Sequence, residues 1–200
     1  MAAAANGDDG DRAGAPAVPG PRSADAGFAR DMAVHHQQAV EMSFIVRDRT
    51  QDEAVRSLAY DIANTQANQR GMLHGWLDLW GLPKVMADEP PMAWMGHGDG
   101  HGGGHAGHGA AQPGGALMPG MATKEEVLRL GAAEGRDAEV LYLQLMTDHH
   151  KGGVAMAEGC AKLCTTPVER ALAQGMVDAQ QSEITLMADM LAKRGAAPRG

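Results

Sequence analysis

Two hundred residues suffice for one ordinary domain or two small ones. A hydrophobic fraction of 44% can build a core, yet aromatics make up only 4%, so Leu, Ala, Val and an unusual 14 Met must fill it. The formal charge of -8 offers phosphates no basic face, which argues against a nucleic-acid partner and favours cations.

Residues 1–22 read as a solvated Gly, Ala, Pro and Asp tail, without the apolar run of a signal peptide or membrane span. As written, the chain is expected to have neither an export route nor an anchor. From about Asp25 to Arg49, Phe28, Met32, Ala39 and Val46 recur at helical spacing. Thr50 and Glu53 form a capping-box pattern that opens a second segment. Its buried side is expected at Val55, Leu58, Ile62, Met72, Trp76 and Leu79, and Gly81 and Pro83 stop it.

Residues 84–122 change character and read as a flexible insert rich in Gly, Pro, His and Met, lying outside the core. His97, His101, His105 and His108 recur every three or four residues among glycines, with Met92 and Met95 before them and Met118 and Met121 after. Such an insert is either an arm that gathers metal ions or a low-complexity linker, with Trp94 docking its start onto the helices. Thr123 and Glu126 then cap a short helix, Gly135 allows a turn, and a third long segment runs from about Asp137 to Leu163. The fourth opens with Thr166, Pro167 and Glu169, an N-cap followed by Pro at the first helical position, and ends at Gly195, with Pro198 beyond. Cys160 and Cys164 are too few for a disulfide framework. Four apart on a helix they share a face, a placement poor for an unstrained disulfide; they read either as small core residues or as a pair that shares a soft metal ion.

Residues 28–82 align with 142–196 without a gap, 114 positions apart. Met32, His35, His36, Val40, Met42, Arg56, Leu58, Ala59, Gln66, Leu77 and Gly81 all recur. A helix pair used twice, each with an apolar stripe it cannot bury alone, predicts an all-α, antiparallel four-helix bundle made of two repeated hairpins. The expected organisation is one domain over residues 23–198, with hairpins at 23–83 and 123–198 joined by the insert.

At about 100° per residue, both histidines of each doublet flank the buried stripe. The expected interior set is Met32, His35, His36 and Met42, repeated as Met146, His149, His150 and Met156. Neutral imidazole suits copper, zinc, nickel or iron, whereas a thioether binds soft ions, above all Cu(I), so His with Met favours copper. The bland alternative is that the imidazoles hydrogen-bond to carbonyls or carboxylates and Met fills gaps. On the facing helices Gln66 and Gln69 correspond to Gln180 and Glu183, and a carboxylate there would orient an imidazole N–H. Neither Glu-x-x-His nor His-Glu-x-x-His occurs, and no nucleophile–base pair or phosphate-cradling loop is visible.

The stretches "DAGFARDMAVHHQQAVEMS", "QANQRGMLHGWLDLWGLP", "PMAWM", "MPGMAT" and "LQLMTDHHKGGVAMAE" resemble the domain-of-unknown-function family 305 in its actinobacterial form, over about residues 23–198. The resemblance implies a ferritin-like four-helix bundle, usually exported to the periplasm or cell surface, and in some members copper binding in metal tolerance. It supports the two Met/His sets named above. Gln69 stands where members often carry Glu, which weakens a di-metal carboxylate site in the first half. The leading expectation is therefore a non-catalytic protein that binds and sequesters copper, Cu(I) above other transition metals, with metal ions as its partners. A ferritin-like metal-dependent oxidoreductase and a metal-free interaction bundle are the alternatives. Self-association stays open, and so does a cytoplasmic location.

Overall fold

The computed structural model describes residues 18–96 and 115–199. Histidines 97, 101, 105 and 108 lie outside the described residues. Five α-helices account for the architecture: α1 (Ala24–Arg47), α2 (Glu53–Leu79), α3 (Lys124–Ala132), α4 (Gly135–Leu163) and α5 (Pro167–Lys193), with a short 3-10 turn at Ala93–Gly96. No strand occurs among the described residues, so the chain is an all-α helical bundle.

Local chemistry starts and stops these helices. Ser23 accepts a hydrogen bond from the Ala26 amide, and Thr123 with Glu126 forms a complete capping box. The start of α2 corrects the sequence expectation: Asp52, not Thr50, is the N-cap and accepts from the Val55 amide. Thr50 is used one turn earlier instead: its hydroxyl accepts from the Asp52 amide and donates to Glu139 at 2.5 Å, a partner 89 residues distant. At the other ends, Gly81 and Gly195 adopt φ of 65° and 60°, the left-handed conformation that terminates a helix at little cost in glycine.

α1 packs along α2, α4 packs along α5, and α1 and α4 pack against each other between the two hairpins. Early residues of α1 share an apolar cluster with late residues of α2 and α4: Phe28 and Met32 with Leu77, Met156 and Cys160. Late α1 residues share a second cluster with early α2 and α4: Met42 and Val46 with Val55, Tyr142 and Met146. The central helices are therefore antiparallel. Each large side chain withdrawn from water in these clusters is worth about 1.5–3 kcal/mol.

The stripe of α2 departs from expectation beyond Ile62. Leu73 and Leu77 are buried, whereas Met72 is 45% and Leu79 is 81% exposed. The inward face continues from Ile62 through the polar Gln66, so picking out apolar residues alone shifts the stripe onto the wrong side. The insert is likewise not wholly outside the core, since Trp94 and Met118 are only 2% and 1% exposed. Missing side chains make room for both flanks. A Cβ on Gly27 would lie 2.5 Å from Trp94 Cβ, and one on Gly152 would lie 2.0 Å from the Pro119 carbonyl oxygen. Asp31 accepts from the Met92 amide and the Trp94 indole, and Trp94 meets Phe28 edge-on at 5.8 Å. On the far flank, Gln38 exchanges two 2.8 Å hydrogen bonds with the Ala122 main chain.

The two cysteines form a disulfide, which corrects the expectation of a poorly placed pair. Cys160 lies in the last turn of α4, but Cys164 is already its C-cap with extended backbone. Helical spacing no longer applies there, and a Cα–Cα separation of 4.8 Å falls within the disulfide range.

Candidate metal centre

Met32, His35, His36 and Met42 from α1, with Met146, His149, His150 and Met156 from α4, are all 0% exposed. The pairing of the central helices separates their sulfurs into two groups. Met32 and Met156 lie in the apolar cluster that also holds Met118 and Met176, and Met42 and Met146 lie in the cluster that holds Met187 and Met190. His35 and His149, equivalent positions of the repeat, come together with ring centroids 3.8 Å apart, and His150 lies 6.3 Å from His149.

Hydrogen bonding determines what these rings offer. His149 Nε2 lies 3.0 Å from the His35 carbonyl oxygen. A carbonyl only accepts, so Nε2 carries the proton and Nδ1 keeps a bare lone pair. His150 Nε2 donates to Glu183 at 2.6 Å, again leaving Nδ1 free. Neither nitrogen of His35 or His36 has a partner, so six of the eight ring nitrogens are buried and unpaired. Such atoms are uncommon in native proteins because each forfeits its hydration without compensation.

Burial pushes His35 down to about 3 and His36 to about 3, and it holds His149 well below the usual imidazole range. Mutual repulsion among the rings adds to the effect. The Pro119 main chain and the Gln69 amide offset part of it at His35 and His36, although neither meets the geometry of a hydrogen bond. All three rings are neutral at pH 7, the state in which imidazole binds a metal. Gln69 and Glu183 thus occupy the equivalent places beside His36 and His150, as the repeat predicts, one as an amide and the other as a carboxylate.

The remaining candidates scatter. Met118 is buried and Met92 and Met121 are half-buried against the first cluster, while Met95 is 37% exposed. The residues Met118 to Ala122 form a strap across α1 and α4, held at Gln38 and seated against Gly152, with Pro119 against His35. Among the described residues, the group of three His, Cys, Asp or Glu donor atoms lying within 4.8 Å of one another is Cys160, Cys164 and Glu169, and the four imidazoles form no such group. Sequence reasoning missed Glu169. As the acidic residue in the first turn of α5 it carried only the signal of a helix start, yet it is fully buried.

No curated protein matches the chain. Among solved structures, a DUF305 protein from Streptomyces coelicolor, inferred to be secreted, is 61% identical, with a TM-score of 0.79 over 90% of this chain and 99% of that one. A DUF305 fragment from Deinococcus radiodurans is 29% identical, with a TM-score of 0.65 over 85% and 96%. CopM in its Cu(I)-bound form shares the fold at 18% identity and a TM-score of 0.62, over 84% and 96%. The family model for DUF305, a domain of unknown function, matches residues 25–191, and the chain belongs to that family.

Proposed function

We propose that this protein binds and sequesters copper, Cu(I) in preference, in the histidine layer between α1 and α4, and that it serves metal homeostasis outside the cytoplasm. The observation that carries the reading is the set of six buried, unpaired ring nitrogens on four histidines. One nitrogen each of neutral His35 and His36 carries a proton, so four of the six offer a lone pair, one per ring, to which a metal ion gives the partner that burial denies. Buried thioethers on either side, Met32 with Met156 and Met42 with Met146, match a soft ion. CopM, similar in fold, is known in Cu(I)-, Cu(II)- and Ag-bound forms. The location rests on the secretion inferred for the Streptomyces coelicolor relative.

The ion is cargo in this reading. The rings form no ready three-nitrogen cage, so uptake requires the strap carrying Pro119 to yield and the imidazoles to rotate, with Met completing the ligand set. Anaerobic titration with Cu(I), and with Ag(I) as a redox-inert substitute, should give stoichiometric uptake and raise the melting temperature, because an ion that binds only the folded chain stabilises it by mass action. His36→Ala combined with His150→Ala should abolish both effects. A melting curve unmoved by Cu(I), Cu(II) or Ag(I) defeats the proposal.

A further inference from the structure

The junction where α4 gives way to α5 holds a second set of donors, remote in sequence from the histidine doublets. Cys160, Cys164 and Glu169 present two sulfurs and a carboxylate oxygen within 4.8 Å of one another. The three residues are 0%, 3% and 0% exposed. Neither oxygen of Glu169 meets the geometry of a hydrogen bond, although the Asp25 carboxylate lies close enough to help hold its proton. Asp25 stands nearby but is engaged: its carboxylate accepts from the Thr165 and Thr166 amides and ties the start of α1 to this loop.

The internal repeat supplies a control for what packing alone requires. At the equivalent junction between α1 and α2, 114 positions earlier, the three places are taken by Val46, Thr50 and Val55, also buried. Glu139 is the counterpart of Asp25 there and accepts from Thr50. A hydrocarbon, a hydroxyl and a hydrocarbon therefore satisfy the fold at this position. The other half packs this position without sulfur or a carboxyl; a disulfide cross-link can account for the cysteines here, but it does not account for a carboxyl buried against them.

We propose that reduction of the Cys160–Cys164 disulfide turns this junction into a binding site for a divalent thiophilic cation of the zinc class, held by both sulfurs and the Glu169 carboxylate. A dithiol reductant delivers two electrons and two protons to the disulfide and is itself oxidised to a disulfide, leaving two thiols. The cation then displaces the two thiol protons and the Glu169 proton, so that three anionic donors meet a charge of two. Thiolate and carboxylate together suit zinc or cadmium better than Cu(I), because the oxygen donor is hard. The oxidised chain has no thiolates to offer and the site is closed, so cation binding here reports the redox state of its surroundings.

The test uses the full chain in both redox states, without copper. Protein reduced by a phosphine under anaerobic conditions and its disulfide form are titrated with Cd(II) or Co(II), following the thiolate-to-metal charge-transfer band alongside circular dichroism. The reduced protein should give the band saturating at a single equivalent, and the disulfide form should give none. Cys160→Ser, or alkylation of the reduced wild type should the variant not fold, should remove it. Glu169→Gln should keep the band but weaken binding, since losing a ligand costs at least what losing an outer partner does, roughly tenfold. His36→Ala with His150→Ala should leave the band intact, which separates this site from the copper reading. A folded, reduced chain without the band overturns the proposal. So does a reduced chain that loses its helical signal, or a Glu169→Gln variant that binds as tightly as the parent.

Discussion

The two halves of the molecule bury the same histidines in the same register but surround them differently. In the second half His150 donates to the Glu183 carboxylate at 2.6 Å, whereas in the first half the neutral Gln69 amide takes that place beside His36. Gln38 grips the strap through Ala122 on one side, and its counterpart Gly152 on the other side only leaves room for Pro119. The α1–α2 junction is filled by Val46, Thr50 and Val55, while its partner holds Cys160, Cys164 and Glu169. The helical frame has thus kept everything that sets spacing and burial, and it has exchanged residues that set charge, closeness of approach and donor chemistry. Asymmetry in a duplicated fold points to the positions that packing leaves free.

The largest way to test this contrast is pH. An unfolded chain protonates each histidine near 6.5, but the folded chain holds His35 and His36 unprotonated down to about 3. Their contribution to stability is complete above pH 6.5 and is lost as the pH falls toward 3, at about 1.4 kcal/mol per pH unit for each ring. His149 acts in the same direction. Glu169, present only in the second half, acts oppositely. Burial, with Asp25 nearby, pushes it up from 4.5 to about 9, so its contribution is complete below 4.5 and is lost as the pH rises toward 9. Urea midpoints across the pH range should therefore peak at about pH 6.5, with a steep acid limb shared by both halves and a shallower alkaline limb that Glu169→Gln removes. A flat acid limb would mean that the rings are not buried as neutral bases.

Gly152→Ala comes next, because the added carbon meets the Pro119 oxygen and must push the strap away; overpacking of this kind costs about 1–3 kcal/mol in thermal or urea unfolding. Making the halves alike at the carboxylate is subtler. Glu183→Gln should weaken Cu(I) or Ag(I) binding by about tenfold, and Gln69→Glu should strengthen it in the first half, as competition titrations would show. Comparable in size is Gln38→Ala, which loses two hydrogen bonds to Ala122 and should cost about 1–2 kcal/mol, detaching the strap from α1 without crowding α4. If Gln38→Ala proved more damaging than Gly152→Ala, the strap would be held by hydrogen bonds and not by its close fit to α4.

Much of the candidate site was legible because helical periodicity is a local property. The spacing of Phe28, Met32, Ala39 and Val46 places His35 and His36 beside a buried stripe, and the repeat transfers that placement to His149 and His150. The same reasoning slipped at Met72 and Leu79, where the inward face of α2 passes through a glutamine. It also missed Asp52, since nothing near Thr50 reveals that its hydroxyl is committed to Glu139.

By itself the sequence determined the helices, their duplication and the inward turn of four imidazoles, all consequences of residue spacing along one chain. Only the tertiary structure decided that Trp94 and Met118 enter the core, that Cys160 and Cys164 pair, that Glu169 meets them, and that His35 and His36 stay neutral. Those outcomes depend on which surfaces are brought together and how much water is expelled between them, and residues far apart in the chain share that information only after it has folded.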